Sequence, residues 1–167
     1  MRTFILVQVL VAFVAGLSAL FILYRVVNGI MRRRFAIEEA NHAFAIFQAG
    51  ILISGSLILT SAMGSAINAI RFLSRRGPDM NDLLLSTAYV LVFLHIGLAF
   101  TLLVIFAGVF AFFQLTSINE WEQIRNNNIP TAVISAALII GLSLIMRDHI
   151  GHLCEGLIPY PEVLQIP

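Results

Sequence analysis

Four long apolar runs, joined by short polar connections, make up most of the chain. Phe4–Val27 is the first, interrupted only by Gln8 and Arg25. Ala43–Ile70 is the second, Leu83–Leu115 the third, and Ile129–Met146 the fourth and shortest. A helix needs about 20 apolar residues to cross a hydrocarbon core. All four runs qualify by length, and the third is long enough to tilt or to project beyond the bilayer. The connections Asn28–His42, Arg71–Asp82 and Thr116–Asn128 are too short to hide a soluble domain. The pattern predicts an all-α membrane protein, with a four-helix transmembrane domain over residues 1–147 and a C-terminal tail over 148–167. Arg2, an apolar run and then Leu17-Ser18-Ala19 look like a signal peptide with its cleavage site. The apolar run continues through Leu20-Phe21-Ile22-Leu23, however, so the segment reads as a retained helix.

A repeat underlies the pattern. With Ile37 laid on Ile124, "IEEANHAFAIFQAGILISGSLIL" meets "IRNNNIPTAVISAALIIGLSLIM" with 8 of 23 positions identical and no gaps. Asn41 meets Asn128, Ala45 meets Ala132, Ala49 meets Ala136, and Ser56-Leu57-Ile58 meets Ser143-Leu144-Ile145. The same offset lays the first span over the latter part of the third. The domain therefore reads as two parallel-repeat helical hairpins, about 4–70 and 83–147, related by an axis along the membrane normal. Asn41 and Asn128 are placed to cap the helices that follow them. Pro130 falls in a first turn, where its missing N–H does no harm. Ser117 and Asn119 are candidate caps for a short interfacial helix, in which Glu120, Glu122 and Arg125 favour water.

Small residues mark the expected helix contacts. Ala45, Ala49, Gly50 and Ser54 punctuate the second span; Ala132, Ala136, Ala137 and Gly141 punctuate the fourth. Spacings of this kind let helices approach closely in lipid, so these two spans are predicted to form the central pair. The Leu-, Val- and Phe-rich first and third spans are expected to face lipid more.

Composition narrows the function classes. The chain is 59% hydrophobic and only 11% charged, where soluble domains carry about 25%. A net charge of +1 argues against nucleic acid, which calls for a basic patch. All ten basic residues are Arg, five on each side of a four-span topology, so their distribution favours neither orientation. Arg32, Arg33 and Arg34, with Arg71, Arg75 and Arg76 opposite, read as interfacial anchors to anionic headgroups. Trp121 suits the headgroup layer.

"INEWEQIRNNN" at Ile118–Asn128, followed by a small-residue helix, resembles the YjfL-like family of small bacterial inner-membrane proteins, domain of unknown function 350. "SAINAI" at Ser65–Ile70 is similar to the end of the corresponding helix in that family. The likeness covers roughly residues 4–150. It implies four spans in two hairpins, the bacterial inner membrane, and partners of the envelope-stress or membrane-remodelling kind. Pro130 and Thr131 depart from the family's small residues, and the tail beyond His149 has no counterpart in the likeness.

Few residues point to chemistry. An ionisable group at the depth of His95 is a functional candidate, as a proton relay or the lining of a polar path; the plainer reading is a neutral imidazole bonded to a Ser, Thr or carbonyl of a neighbouring helix. Asn41 and Asn128, with Gln48 two turns below the first, line such a path or serve as caps and interhelical hydrogen bonds. His149, His152 and Cys154 have metal-ligand types without a metal-ligand spacing. No nucleophile with its base, no carboxylate pair and no phosphate loop is recognisable, and no cofactor is indicated. The expectation is a non-enzymatic membrane protein contacting lipids, either homo-oligomeric or a subunit of a larger membrane complex, that acts as a scaffold. A small-ion or proton channel is the alternative.

Overall fold

The computed structural model describes residues 2–35, 41–73, 80–116 and 118–158. They form five helices: α1 (Arg2–Phe35), α2 (His42–Leu73), α3 (Met80–Leu115), α4 (Glu120–Arg125) and α5 (Ile129–Gly156). No strand occurs among the described residues. α1, α2, α3 and α5 are the four helices long and apolar enough to span a membrane. Helices satisfy every backbone group internally, which hydrocarbon requires. The hydroxyls within the spans follow suit: Ser56 donates to the Leu52 carbonyl at 2.8 Å and Thr101 to the Gly97 carbonyl at 2.8 Å.

α2 is the hub. It packs most extensively along α5, next along α3, and more lightly on α1. Of its span, 56% is buried, against 17% for α1 and 28% for α5. α2 and α5 run parallel. Asn41 reaches Arg125, Ser65 donates to the Gly151 carbonyl at 3.0 Å, and Asn68 meets Glu155 at 3.1 Å. The sequence separation of these pairs stays between 84 and 87 down the whole length. A Cβ built on Gly50 would lie 2.6 Å from the Ala136 Cβ and 2.9 Å from its Cα, so the two backbones nearly touch there. α3 runs antiparallel to α2, with Gly97 against Ala62 and Gly55 against Thr101. Leu23 of α1 also packs on Gly55.

Two apolar clusters fill the interior. One gathers Leu23, Val27, Phe44, Phe47, Ile51, Ile105 and Ile124 at the α4 end. The other gathers Ala19, Ile58, Ala62, Phe93, Val104 and Ile150 toward the opposite end. Leu10, Phe13, Leu17 and Phe21 of α1 lie exposed, as expected for a helix that packs on one side and meets lipid on the other.

The boundaries differ from the sequence reading at two places. α5 continues to Gly156, ten residues past the expected end at Met146. Arg147, Asp148 and His149 end the apolar run without ending the helix: they are exposed, while Ile150, Gly151 and Cys154 keep the next turns packed. α1 likewise runs through Asn28 to Phe35, so Arg32 and Arg33 belong to its last turns. The side chains of Arg34 and Arg71, and residues Arg75, Arg76, Ser117 and 159–167, lie outside the described set.

Candidate functional site

The polar turn between α3 and α5 is where the chain departs most from its apolar surroundings. Asn119 starts α4, its Oδ1 accepting from the Glu122 N–H at 3.3 Å. After six helical residues come three asparagines with different tasks. The N–H of Asn126 closes on the Glu122 carbonyl at 2.9 Å. Asn127 takes φ 61°, the left-handed conformation that ends a helix and that Asn adopts more readily than other non-glycine residues. Asn128 caps α5: its Oδ1 accepts from the Thr131 N–H at 3.3 Å, while its amide donates to Gln123 at 2.7 Å.

Asn41 does the same for α2 and something more. Its Oδ1 accepts from the Phe44 N–H at 2.7 Å. Its amide nitrogen donates to the Ile124 carbonyl at 2.8 Å and to the Arg125 carbonyl at 2.9 Å. Asn127 answers by accepting from the Ala43 N–H at 2.9 Å. The first N–H groups and last C=O groups of a helix have no partner within it. Here the start of α2 and the end of α4 satisfy each other across more than eighty residues of sequence.

Beside this junction Trp121 wedges between aromatics, its ring 4.7 Å from Phe113 and 5.8 Å from Phe47, both edge-on. Glu120 was expected in water and is instead buried, 4% exposed. One carboxylate oxygen accepts from the Thr116 hydroxyl; the other has no partner among the described residues. The reason is geometric: adjacent positions on a one-and-a-half-turn helix diverge by about 100°. Turning Ile124 into the core carries Glu120, four residues back on the same side, inward with it.

Residues 83–158 match the family model of a Domain of Unknown Function, DUF350. That segment, 76 of the chain's 167 residues, is similar to the DUF350 family. No curated protein and no solved structure matches it. The DUF350 segment comprises nearly all of α3, together with α4, the asparagine turn and α5 to residue 158. It thus extends past His149, where the sequence likeness was expected to stop.

The remaining candidates are scattered around this segment. His95 of the matched segment does not join Asn41 and Asn128, and among the described residues it bonds no neighbouring helix: it is exposed and its Nδ1 lies 2.7 Å from the Leu91 carbonyl of its own helix. It lines a greasy groove against Leu10, Val14 and Ser18 of α1. Gln48 is buried with its Nε2 unpartnered among the described residues, as are the hydroxyls of Ser54, Ser135 and Ser143. Of the expected packing residues, Gly50, Ser54, Ala132 and Ala136 are buried, whereas Ala45, Ala49 and Ala137 are exposed and Gly141 has open space beside it. The small residues are shared between a packed face and a lipid face, and only the contact register separates them. Sequence reasoning missed Asn127, whose role depends on its φ, and Gly151, which sits against Ser61. It also missed a polar cleft of 300 Å³ where Ser61, Ser65 and Asn68 of α2 face Asp148, His152 and Glu155 of α5. Among the described residues no three His, Cys, Asp or Glu side chains are placed to hold a metal. His149 turns to the Ile145 carbonyl at 3.1 Å and Cys154 is buried.

Proposed function

We propose that this protein is a non-enzymatic scaffold of the bacterial inner membrane, a homo-oligomer of paired hairpins that organises lipid or holds a peripheral partner of the envelope-maintenance kind. The observation that carries this reading is the fate of the asparagines. Asn41, Asn127 and Asn128 are committed to capping and to tying α4 against α2 and α5, which spends them on architecture rather than on a vestibule. A repeat relation supports the hairpin arrangement. The hydrogen-bonded pairs of α2 and α5, Ser65 with Gly151 and Asn68 with Glu155, are 86 and 87 residues apart, close to the 87-residue sequence offset, so near-equivalent positions meet at one depth. The two halves are not equally covered. α2 is flanked by both α5 and α3, whereas among the described residues α5 packs chiefly on α2 and only lightly on α3. Val133, Ile134, Leu144 and Ile145 of α5 are exposed, and a second copy would supply the missing cover. Native mass spectrometry of the protein released from lipid nanodiscs tests this. Two or more copies are expected; a monomer at all detergent-to-protein ratios overturns it.

A second reading has its own support. Gln48, Ser54, Ser135 and Ser143 leave polar atoms unmet inside the bundle, and buried polar groups are costly in lipid without partners. Water or ions passing along α2 and α5 would satisfy them. Proton and potassium flux into proteoliposomes, with and without Gln48→Leu, separates the two: flux abolished by the substitution makes conduction the function, and absence of flux leaves the scaffold.

A further inference from the structure

The largest cavity among those described lies where α1 and α3 end beside α4. It holds 820 Å³. Its walls change character along their length. Phe106, Val109 and Phe110 of α3 make an apolar floor within the span, and Phe110 is exposed, so the cavity opens on that side. At the membrane surface the wall becomes Gln114, Thr116, Glu120 and Trp121. Glu120 is 4% exposed, its second carboxylate oxygen has no hydrogen-bond partner, and no basic side chain pairs with it among the described residues. A buried carboxylate needs a cation or a proton donor. Beside it stand the π-systems of Trp121 and Phe113, which attract cations at their faces.

We infer that this cavity binds the ammonium headgroup of an aminophospholipid, with Glu120 recognising the amine and the Phe106–Phe110 floor seating an acyl chain. An acidic headgroup would set phosphate and carboxylate against each other with no basic residue between them among the described residues lining the cavity. A soluble cation would leave the apolar floor unused. A lipid amine uses both ends, and Gln114 supplies a neutral amide donor on the same wall for the phosphate. The site lies within one chain, so it stands or falls independently of the oligomeric state.

The test uses the full chain in phosphatidylglycerol nanodiscs and its one tryptophan, which lines the cavity. Phosphatidylethanolamine with brominated chains is expected to quench Trp121 at about one tenth the mole fraction that brominated phosphatidylglycerol requires, a preference of ~1.4 kcal/mol. Glu120→Gln, which keeps the Thr116 contact, should equalise the two lipids, and Glu122→Gln on the exposed side of α4 should not. Phosphatidylethanolamine acylated on its nitrogen lacks the positive charge and should behave like phosphatidylglycerol, a control that leaves the protein unchanged. Equal quenching by all three lipids overturns the site. Displacement by millimolar glycerophosphoethanolamine, which has the headgroup without tails, overturns the lipid assignment in favour of a soluble amine; its failure to displace supports the lipid.

Discussion

Gly50→Ala tests the contact on which the bundle depends. A Cβ at this position would sit 2.6 Å from the Ala136 Cβ and 2.9 Å from the Ala136 Cα. Ordinary contact begins near 3.4 Å, so α2 and α5 must separate locally by the better part of an ångström. The obstructing Cα is backbone and has no rotamer to change. Overpacking of this kind costs about 1–3 kcal/mol. Alanine's better helix propensity returns about 0.5–1 kcal/mol. The net expectation is a loss of roughly 1–2 kcal/mol, or a fall of about 2–8 °C in unfolding temperature for a chain of this size. The assay is thermal or SDS-induced unfolding in mixed micelles, followed by circular dichroism. Gly64→Ala and Gly141→Ala are the matched controls, because an added Cβ meets nothing within 4 Å at either position; both should be neutral or slightly stabilising. Ala136→Gly in the Gly50→Ala background should restore part of the loss. Full restoration is not expected, since the Ala136 Cα remains in the way. If Gly50→Ala matches the two controls, the close approach of α2 and α5 is wrong.

Asn41→Ala removes a cap and the amide donor to the Ile124 and Arg125 carbonyls, leaving Ile124 only the Asn127 N–H, a loss of about 2–3 kcal/mol. Asn41→Asp retains the cap and loses the donors, so hydrogen exchange should speed up in α4 for both variants but at the start of α2 only for the alanine. Cys154 is fully buried and should resist a membrane-permeant maleimide until SDS unfolds the bundle; Leu153→Cys in a Cys154→Ser background, on the exposed side, should label at once. His95→Leu should change stability by no more than about 0.5 kcal/mol, since among the described residues the imidazole bonds only the Leu91 carbonyl of its own helix; a larger loss in the SDS titration would show a further partner. Asn127→Gly relieves the left-handed backbone but removes the acceptor for the Ala43 N–H, so it should be milder than Asn127→Ala, which loses both, by about 1 kcal/mol in the same titration.

Much of this architecture was legible because bilayers impose a one-dimensional rule. Runs of apolar residues located all four spans, and the starts of α2 and α5 were readable because a cap is a local event: Asn41 and Asn128 each act on the N–H three residues ahead. What was not legible depends on rotation about the helix axis or on distant pairing. Ala49 and Gly50 are equally small and adjacent, and only Gly50 meets α5. On a helix in lipid both faces are apolar, so hydrophobicity gives no phase. The end of α5 was misplaced because charge marks where hydrocarbon stops, whereas helix continues wherever its backbone bonds remain favourable. Glu120 was assigned to water by residue type alone; its burial follows from Ile124, which faces the core on the same side of a helix too short to average its faces.

The mutual capping of α2 and α4 also bears on how the protein is made. Asn41 and the carbonyl it meets on Arg125 are 84 residues apart. At synthesis rates of about 5–20 residues per second, the second partner emerges roughly 4–17 s after the first. During that interval the leading end of α2 has its own cap but no tether, and the Asn41 amide must be hydrated at the membrane surface. α1 and α2 are therefore synthesised before they are locked. The lock closes only when α4 and the asparagine turn arrive, so a chain truncated or stalled before them presents an open junction to quality-control proteases, and the completed one does not.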